Sequence, residues 1–242
     1  MRRPRDPDDL VYGGPHIAGA PGATRVKPWG VPERGEPPPL RRRGKESRER
    51  CVAAVLLVAA SPLLAACAVA VKIEALVDPR ARGPVLFREE RISRGRRIPL
   101  LKFRTLTAAA MASLPTGPTH VKQLERSGHV TRVGRLLGKW YLDELPQLLN
   151  IVRGEMFFIG TRPYPVDAAE AEFVKGIDRK FEMPAGLVGP VQSYKGRPSP
   201  SELELDEEYW EAFREWGALR LLVFDLQIAR RSLSVMLAHE GR

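Results

Sequence analysis

Gly134-Arg135-Leu136-Leu137-Gly138-Lys139-Trp140-Tyr141-Leu142-Asp143-Glu144-Leu145-Pro146-Gln147-Leu148-Leu149-Asn150 has a neighbouring carboxylate pair, Asp143 and Glu144, at its centre. Pro146 follows, then the apolar positions Leu148, Leu149 and Val152, then Gly154. Proline is tolerated in the first turn of a helix, and glycine is favoured just past its end. The pattern predicts a short helix from about Asp143 to about Arg153, with the acidic pair at its N-terminal end. Two carboxylates so placed can divide labour, one attacking or taking a proton and the other holding a metal. A helix N-terminus also favours a bound phosphate. The same pair equally suits a plain structural role, with Asp143 as cap and Glu144 in the first turn. The surroundings must decide.

Working back towards the N-terminus, Cys51 to Val71 contains no charged residue. Its length is close to the roughly 20 apolar residues a helix needs to cross a bilayer. Two features argue against an ordinary span. Ser61-Pro62 lies near its middle, where proline removes a helix hydrogen bond. Both flanks are basic, with Arg41 to Arg50 before it and Lys72, Arg80, Arg82, Arg88, Arg91, Arg94, Arg96 and Arg97 after it. Positive residues favour the cytoplasmic side. The expectation is a helix that enters, breaks at Ser61-Pro62 and leaves by the same face; a simple span and a buried soluble helix are the alternatives. Residues 1 to about 40 are rich in Pro, Gly and Arg without apolar periodicity, the composition of a disordered tail.

Between that run and the acidic pair, Gly83 to Ile92 and Ile98 to Thr105 flank a turn at Ser93-Arg94-Gly95-Arg96, a hairpin signature. Arg91, Lys102 and Arg104 on it are candidate phosphate contacts, since fixed cations suit phosphoryl oxygens. The alternative is a solvated basic strand face. Ala108 to Leu114 reads as a helix and Pro115 to Pro118 as a turn. Beyond the pair, Met156 to Ile159 reads as a short strand ending in Gly160-Thr161-Arg162-Pro163, which presents Arg162 on a loop. Val166 to Lys175 reads as helical. From Leu203 to Leu237, Tyr209, Trp210, Phe213, Trp216 and Phe224 mix with Arg214, Arg220, Arg230 and Arg231. That makeup suits helices lying in a membrane interface or packed on the core.

The chain has 242 residues, a formal net charge of +10 and a sequence pI near 10.0. Such a balance suits nucleic acid, anionic lipid or phosphate-rich substrates. Nucleic-acid binding would need a recognition helix or stacking strands with a basic face, and the sequence has neither. Cys51 and Cys67 both fall in the apolar run and form no metal spacing or disulfide framework.

Taken in order, these segments resemble the bacterial sugar transferases that are monotopic phosphoglycosyl transferases. The resemblance runs from about Arg48 to Leu237. It is carried by the broken helix around Ser61-Pro62; Gly83-Pro84-Val85-Leu86-Phe87-Arg88 with Glu90-Arg91-Ile92; Lys102-Phe103-Arg104-Thr105; Thr131-Arg132-Val133-Gly134-Arg135; Leu142-Asp143-Glu144-Leu145-Pro146-Gln147 with Asn150; Gly160-Thr161-Arg162-Pro163; and Gly186-Leu187-Val188-Gly189 with Gln192 and Gly196-Arg197. It implies an α+β class: a monotopic membrane protein with a re-entrant helix, amphipathic interfacial helices and a few short strands. The implied division is a tail at 1–45, the re-entrant helix at 46–78 and a cytoplasmic-face catalytic domain at 79–242.

The resemblance also implies chemistry. Asp143 would be the nucleophile on a UDP-sugar and Glu144 a second catalytic carboxylate that binds Mg2+. Arg91, Lys102, Arg104, Arg162, Gln192 and Arg197 would bind substrate. Polyprenyl (undecaprenyl) phosphate would be the acceptor, with membrane lipid as surroundings, at the cytoplasmic face of a bacterial inner membrane. No nucleic-acid partner is implied, and a homo-oligomer is compatible with it. Gly138 stands where such proteins usually have Arg, five residues before the nucleophile. That departure defines the alternative, a divergent relative serving as a scaffold in glycan assembly.

Overall fold

Pro62 sets where the first helix stops. The computed structural model describes residues 43–114, 124–125, 127–169, 182–196 and 198–237. It begins with two helices, α1 (Arg43–Ala59) and α2 (Ser61–Val77), bent by 61° at their junction. In an unbroken helix the residue at 62 would donate its N–H to the Val58 carbonyl, and proline has none to give. The Ser61 hydroxyl donates to Val58 O instead, at 2.7 Å. The helix then resumes, because proline's fixed φ suits a first turn, and Leu64 N donates to Ala60 O at 2.8 Å. Among the described residues no single helix is long and apolar enough to cross a membrane; the bent pair together meets that length and composition.

The two ends of the pair are tied to the same globular body. At the near end Lys45 donates to Glu49 Oε1 at 2.6 Å and to Asp225 Oδ2 at 2.7 Å, and Glu49 Oε2 accepts from Phe158 N at 2.6 Å. At the far end Glu74 accepts from the backbone N–H groups of Arg132 (2.7 Å) and Val133 (3.1 Å), the start of α4 (Arg132–Lys139). A carboxylate there satisfies amides that have no partner within their own helix. Between these ties Val52, Val55, Leu56, Val58, Leu63, Val69 and Ile73 stand exposed.

The expected hairpin is present. β1 (Leu86–Ser93) pairs antiparallel with β2 (Arg96–Phe103), from Leu86 opposite Phe103 to Ser93 opposite Arg96. Arg94 (φ 49) and Gly95 (φ 71) both take the left-handed conformation, as a two-residue hairpin turn requires. β4 (Tyr164–Pro165) adds antiparallel to β1, giving the order β2-β1-β4, and β3 (Phe157–Ile159) pairs in parallel with β5 (Gly186–Val188). The class is α+β.

Helices cover these small sheets. α3 (Ala108–Ser113) follows β2 as expected. α5 (Gln147–Arg153) lies along the β2 edge, where Ile98 and Leu100 meet Leu148 and Ile151, with Ala53 of α1 in the same cluster. Asn150 completes the seam: its Oδ1 accepts from Leu101 N at 3.0 Å and its amide donates to Pro99 O at 2.8 Å. The side chain thus supplies the strand partner that an edge otherwise lacks. α6 (Pro190–Ser193) leads to α7 (Glu202–Glu215) and α8 (Ala218–Leu237).

The C-terminal aromatics correct the interfacial expectation for α7. Tyr209, Trp210 and Phe213 are buried with Phe157, Ile159 and Met183, so they form core. α8 divides by face: Leu221, Ile228 and Val235 are buried, while Leu219, Val223, Leu226 and Leu233 are exposed. Of the other expected segments, residues 166–169 are helical. The rest of Val166–Lys175, the Pro115–Pro118 turn and the N-terminal tail through residue 42 lie outside the described residues.

Asn150→Ala removes two buried seam bonds and leaves backbone groups of β2 unpaired. The expected loss is about 2–4 kcal/mol, measured as a lower thermal midpoint in detergent.

Candidate active site

The acidic pair precedes its helix rather than opening it. Leu142–Glu144 forms a 3-10 turn, with Glu144 N bonded to Tyr141 O and Leu145 N to Leu142 O, both at 3.3 Å. Pro146 is the reason. It cannot donate to Leu142 O as an α-helical residue would, so Leu145 does, and the turn tightens. Tyr141, at φ 57, swings the chain out of α4 into this turn. The helix proper starts at Gln147, four residues after Asp143, which corrects the Asp143–Arg153 helix expected from the sequence.

The hairpin register puts a cation beneath the pair. Lys102 faces Phe87 across the strands, so it shares a face with Glu89 and Arg91. Its ammonium lies 3.8 Å from Glu144 Oε1 and 3.6 Å from Glu89 Oε2. Glu89 in turn accepts from Arg91 Nη2 at 2.5 Å. Burial pulls Lys102 down, but the charges of Glu144 and Glu89 more than offset it, so the ammonium is held above its usual range. For Glu89 burial works upward, and Lys102 and Arg91 overcome it, leaving the carboxyl below its usual range.

Asp143 goes the other way. Burial and then the adjacent Glu144 charge, with a smaller push from Glu125, outweigh Lys102 and raise its carboxyl from 3.8 to about 6. A carboxylate held in this way is a candidate for a functional site. It also sits close to the apolar helix pair: Leu142, just before it, and Phe103, just after Lys102, pack in one cluster with Leu64, Cys67, Ala68 and Val71 of α2.

The other expected residues divide. Arg91 also donates to the carbonyl of Pro163 at 3.4 Å, which ties the Arg162 loop to the cation end of the cluster. Gln192 Oε1 accepts from Gly189 N at 2.5 Å and so caps α6. Gly189 abuts that loop closely enough that a Cβ there would lie 2.6 Å from Gly160 O. Arg197 lies outside the described residues. Arg104 is a correction. It is buried, and its guanidinium donates to the carbonyls of Ala81, Pro84 and Leu106. Those bonds pin the chain between α2 and the hairpin, a structural use in place of the expected phosphate contact. Sequence reasoning missed Glu89; the alternation of β1, which puts it on the face of Arg91, was the available signal.

Residues 40–238 match the family model described as "Bacterial sugar transferase". The UDP-glucose:undecaprenyl-phosphate glucose-1-phosphate transferase of Caulobacter vibrioides is 33% identical over 198 residues, 76% of this chain and 70% of that protein. The protein of the same name from Escherichia coli is 29% identical over 194 residues, 76% of this chain and 38% of that one. The UDP-N-acetylgalactosamine-undecaprenyl-phosphate N-acetylgalactosaminephosphotransferase of Aeromonas hydrophila is 28% identical over 179 residues, 69% of this chain and 38% of that protein. The alignments thus take in well under half of the last two relatives.

Asp143 is expected to titrate near pH 6 when its carboxyl carbon is followed by NMR, lower in Glu144→Gln and higher in Lys102→Met. The folded state holds this proton more tightly than the unfolded one, so stability falls as pH rises from 3.8 through about 6. Asp143→Asn should therefore raise the thermal midpoint above about pH 7 and leave it unchanged below about pH 4.

Proposed function

This chain belongs to the bacterial sugar transferase family, and from that premise we propose that it moves a sugar-1-phosphate from a UDP-sugar to undecaprenyl phosphate. The observation that carries the reading is Asp143. It is one of a half-buried carboxylate pair, its carboxyl raised to about 6 by burial and by the Glu144 charge, and its neighbour Leu142 packs on the apolar helix α2. A nucleophile for a soluble donor and a lipid acceptor belongs at such a boundary.

The steps balance on that residue. An Asp143 carboxylate oxygen attacks the phosphorus that carries the sugar, and the bond from that phosphorus to the UMP oxygen breaks. UMP leaves, and a phosphosugar remains esterified to Asp143. A phosphate oxygen of undecaprenyl phosphate then attacks the same phosphorus. The acyl-phosphate bond breaks, the carboxylate is regenerated, and undecaprenyl diphosphate sugar departs. A covalent intermediate lets one site serve the two substrates in turn. Arg91, Lys102 and Arg162 would neutralise donor phosphates, and Gln192, through its bond to Gly189 N, would support the loop that bears Arg162.

Mg2+ suits the residues present. Glu144 lies only at ion-pair distance from Lys102, 3.8 Å, with its side chain 32% exposed. The Glu144 charge that adds to burial in raising Asp143 is what a cation would offset. Among the described residues no cluster of three or more His, Cys, Asp or Glu converges on a metal position. A hard ion that keeps several waters and takes phosphate oxygens needs only one or two carboxylates. Glu144 would hold the ion, which supplies charge neutralisation on the diphosphate.

The ties at both ends of the bent pair support a membrane arrangement. A helix pair anchored to one body at Lys45 and again at Glu74, with apolar residues exposed between, suits a re-entrant loop entered from the cytoplasmic face. The exposed stripe on α8 suits contact with the same lipid surface. The polar base of α1 through Glu49 then belongs with the catalytic part, and residues from about Arg50 to Lys72 with the membrane.

Detergent-purified protein, given Mg2+, undecaprenyl phosphate and a panel of UDP-sugars, should release UMP. Asp143→Asn and Glu144→Gln should each lower that release by at least about 10³-fold with the fold intact; unchanged release in Asp143→Asn would remove the nucleophile. For topology, Arg48→Cys and Arg82→Cys, each in a chain carrying Cys51→Ser and Cys67→Ala, should both react with a membrane-impermeant thiol reagent only from the cytoplasmic side. Labelling from opposite sides would mean a true span.

A further inference from the structure

Glu89 stands apart from the other carboxylates of the site. It is 3% exposed, on β1, with no place in the chemistry above. It bonds Arg91 through Oε1, while its buried Oε2 accepts no hydrogen bond and faces Lys102 at 3.6 Å. Lys102 is held at ion-pair rather than hydrogen-bond distance from both Glu89 and Glu144. Arg91 Nε likewise has no hydrogen-bond partner. Arg91 and Lys102 thus share Glu89 as a counter-ion, Arg91 through a short hydrogen bond and Lys102 at looser ion-pair distance, with Glu144 as its second partner.

We propose that Glu89 is a positioning residue, a built-in counter-anion that occupies the Arg91–Lys102 pair in the resting protein and gives it up to the donor's diphosphate, so that it sets donor affinity. The inference rests on the proposed function, through the assignment of Arg91 and Lys102 to donor phosphates. Without the carboxylate two adjacent cations would repel each other in a half-buried place, lowering stability, and a phosphate would meet them uncontested. A residue that served packing alone would tie lower stability to weaker binding. A counter-anion ties lower stability to tighter binding. Glu89→Gln keeps the shape and an oxygen for Arg91 while removing the charge.

The test uses the full chain in detergent with Mg2+ and UDP as the probe, by calorimetry and thermal unfolding. Glu89→Gln should bind UDP about five- to tenfold more tightly. It should melt earlier without UDP and gain more in midpoint when UDP is added. In the UMP-release assay its KM for donor should fall while kcat stays within about twofold. UDP affinity equal to or weaker than that of the unaltered chain overturns the proposal. If Glu89→Gln does not fold, Glu89→Asp, whose shorter arm withdraws the charge from Lys102, should still tighten UDP binding; weaker binding there overturns it as well. Unaltered protein that neither binds UDP nor releases UMP removes the proposed function and this inference together, whereas an active protein indifferent to Glu89→Gln removes this inference alone.

Discussion

Pro62 cannot donate to the Val58 carbonyl, and much of the remaining arrangement depends on that missing proton. Because α1 stops there and α2 departs at 61°, the chain can return to the body it left. Lys45 and Glu49 then tie the outgoing arm to α8 and β3, and Glu74 ties the returning arm to α4. A straight helix of the same residues would carry Glu74 far from Arg132. It would also take Leu64, Cys67 and Val71 away from Phe103 and Leu142, the residues beside Lys102 and Asp143. The bend and the site are therefore parts of one packing arrangement.

The site stores unfavourable electrostatics in a small volume. Asp143 and Glu144 are neighbours in a tight turn, and burial withholds the solvent that would calm their repulsion. At Asp143 burial and the Glu144 charge outweigh Lys102, and its carboxyl rises to about 6. Stability sacrificed at a functional group is a familiar trade in proteins. Here the surrounding fold supports it with apolar packing on one side, through Leu142 and Phe103, and with the Asn150 seam on the other.

The motif glycines and arginines read differently in sequence and in space. Gly160 and Gly186 lie in the resemblance as isolated letters. In the structure a Cβ at Gly186 would come 2.1 Å from Gly160 N, so the β3–β5 approach that positions the Arg162 loop excludes any larger residue. Arg104 sits two residues beyond Lys102 in the same string, yet it points into three backbone carbonyls while Lys102 points to carboxylates. Nothing in the order Lys-Phe-Arg-Thr distinguishes a cation that pins backbone carbonyls from one that faces carboxylates. The aromatics of α7 posed the same problem, since composition cannot say whether Trp210 faces lipid or core.

The sequence alone determined what depends on residues a few positions apart: the break at Ser61-Pro62, the two-residue turn at Arg94-Gly95, the pairing of Asp143 with Glu144, and the order of motifs that shows the family. Backbone hydrogen bonding and turn chemistry act over that range, so the residues involved announce themselves. The 3-10 turn at Leu142–Glu144 is just as local, through the missing donor of Pro146, yet the sequence pattern reads as the start of the helix itself. Only the tertiary structure decided the counter-charges: Lys45 with Asp225, 180 positions away, Lys102 between Glu89 and Glu144, Asn150 on the edge of β2. Charge and hydrogen-bond partners in a folded chain are chosen by proximity in space and by exclusion of water. Neither is written in the spacing of residues along the chain.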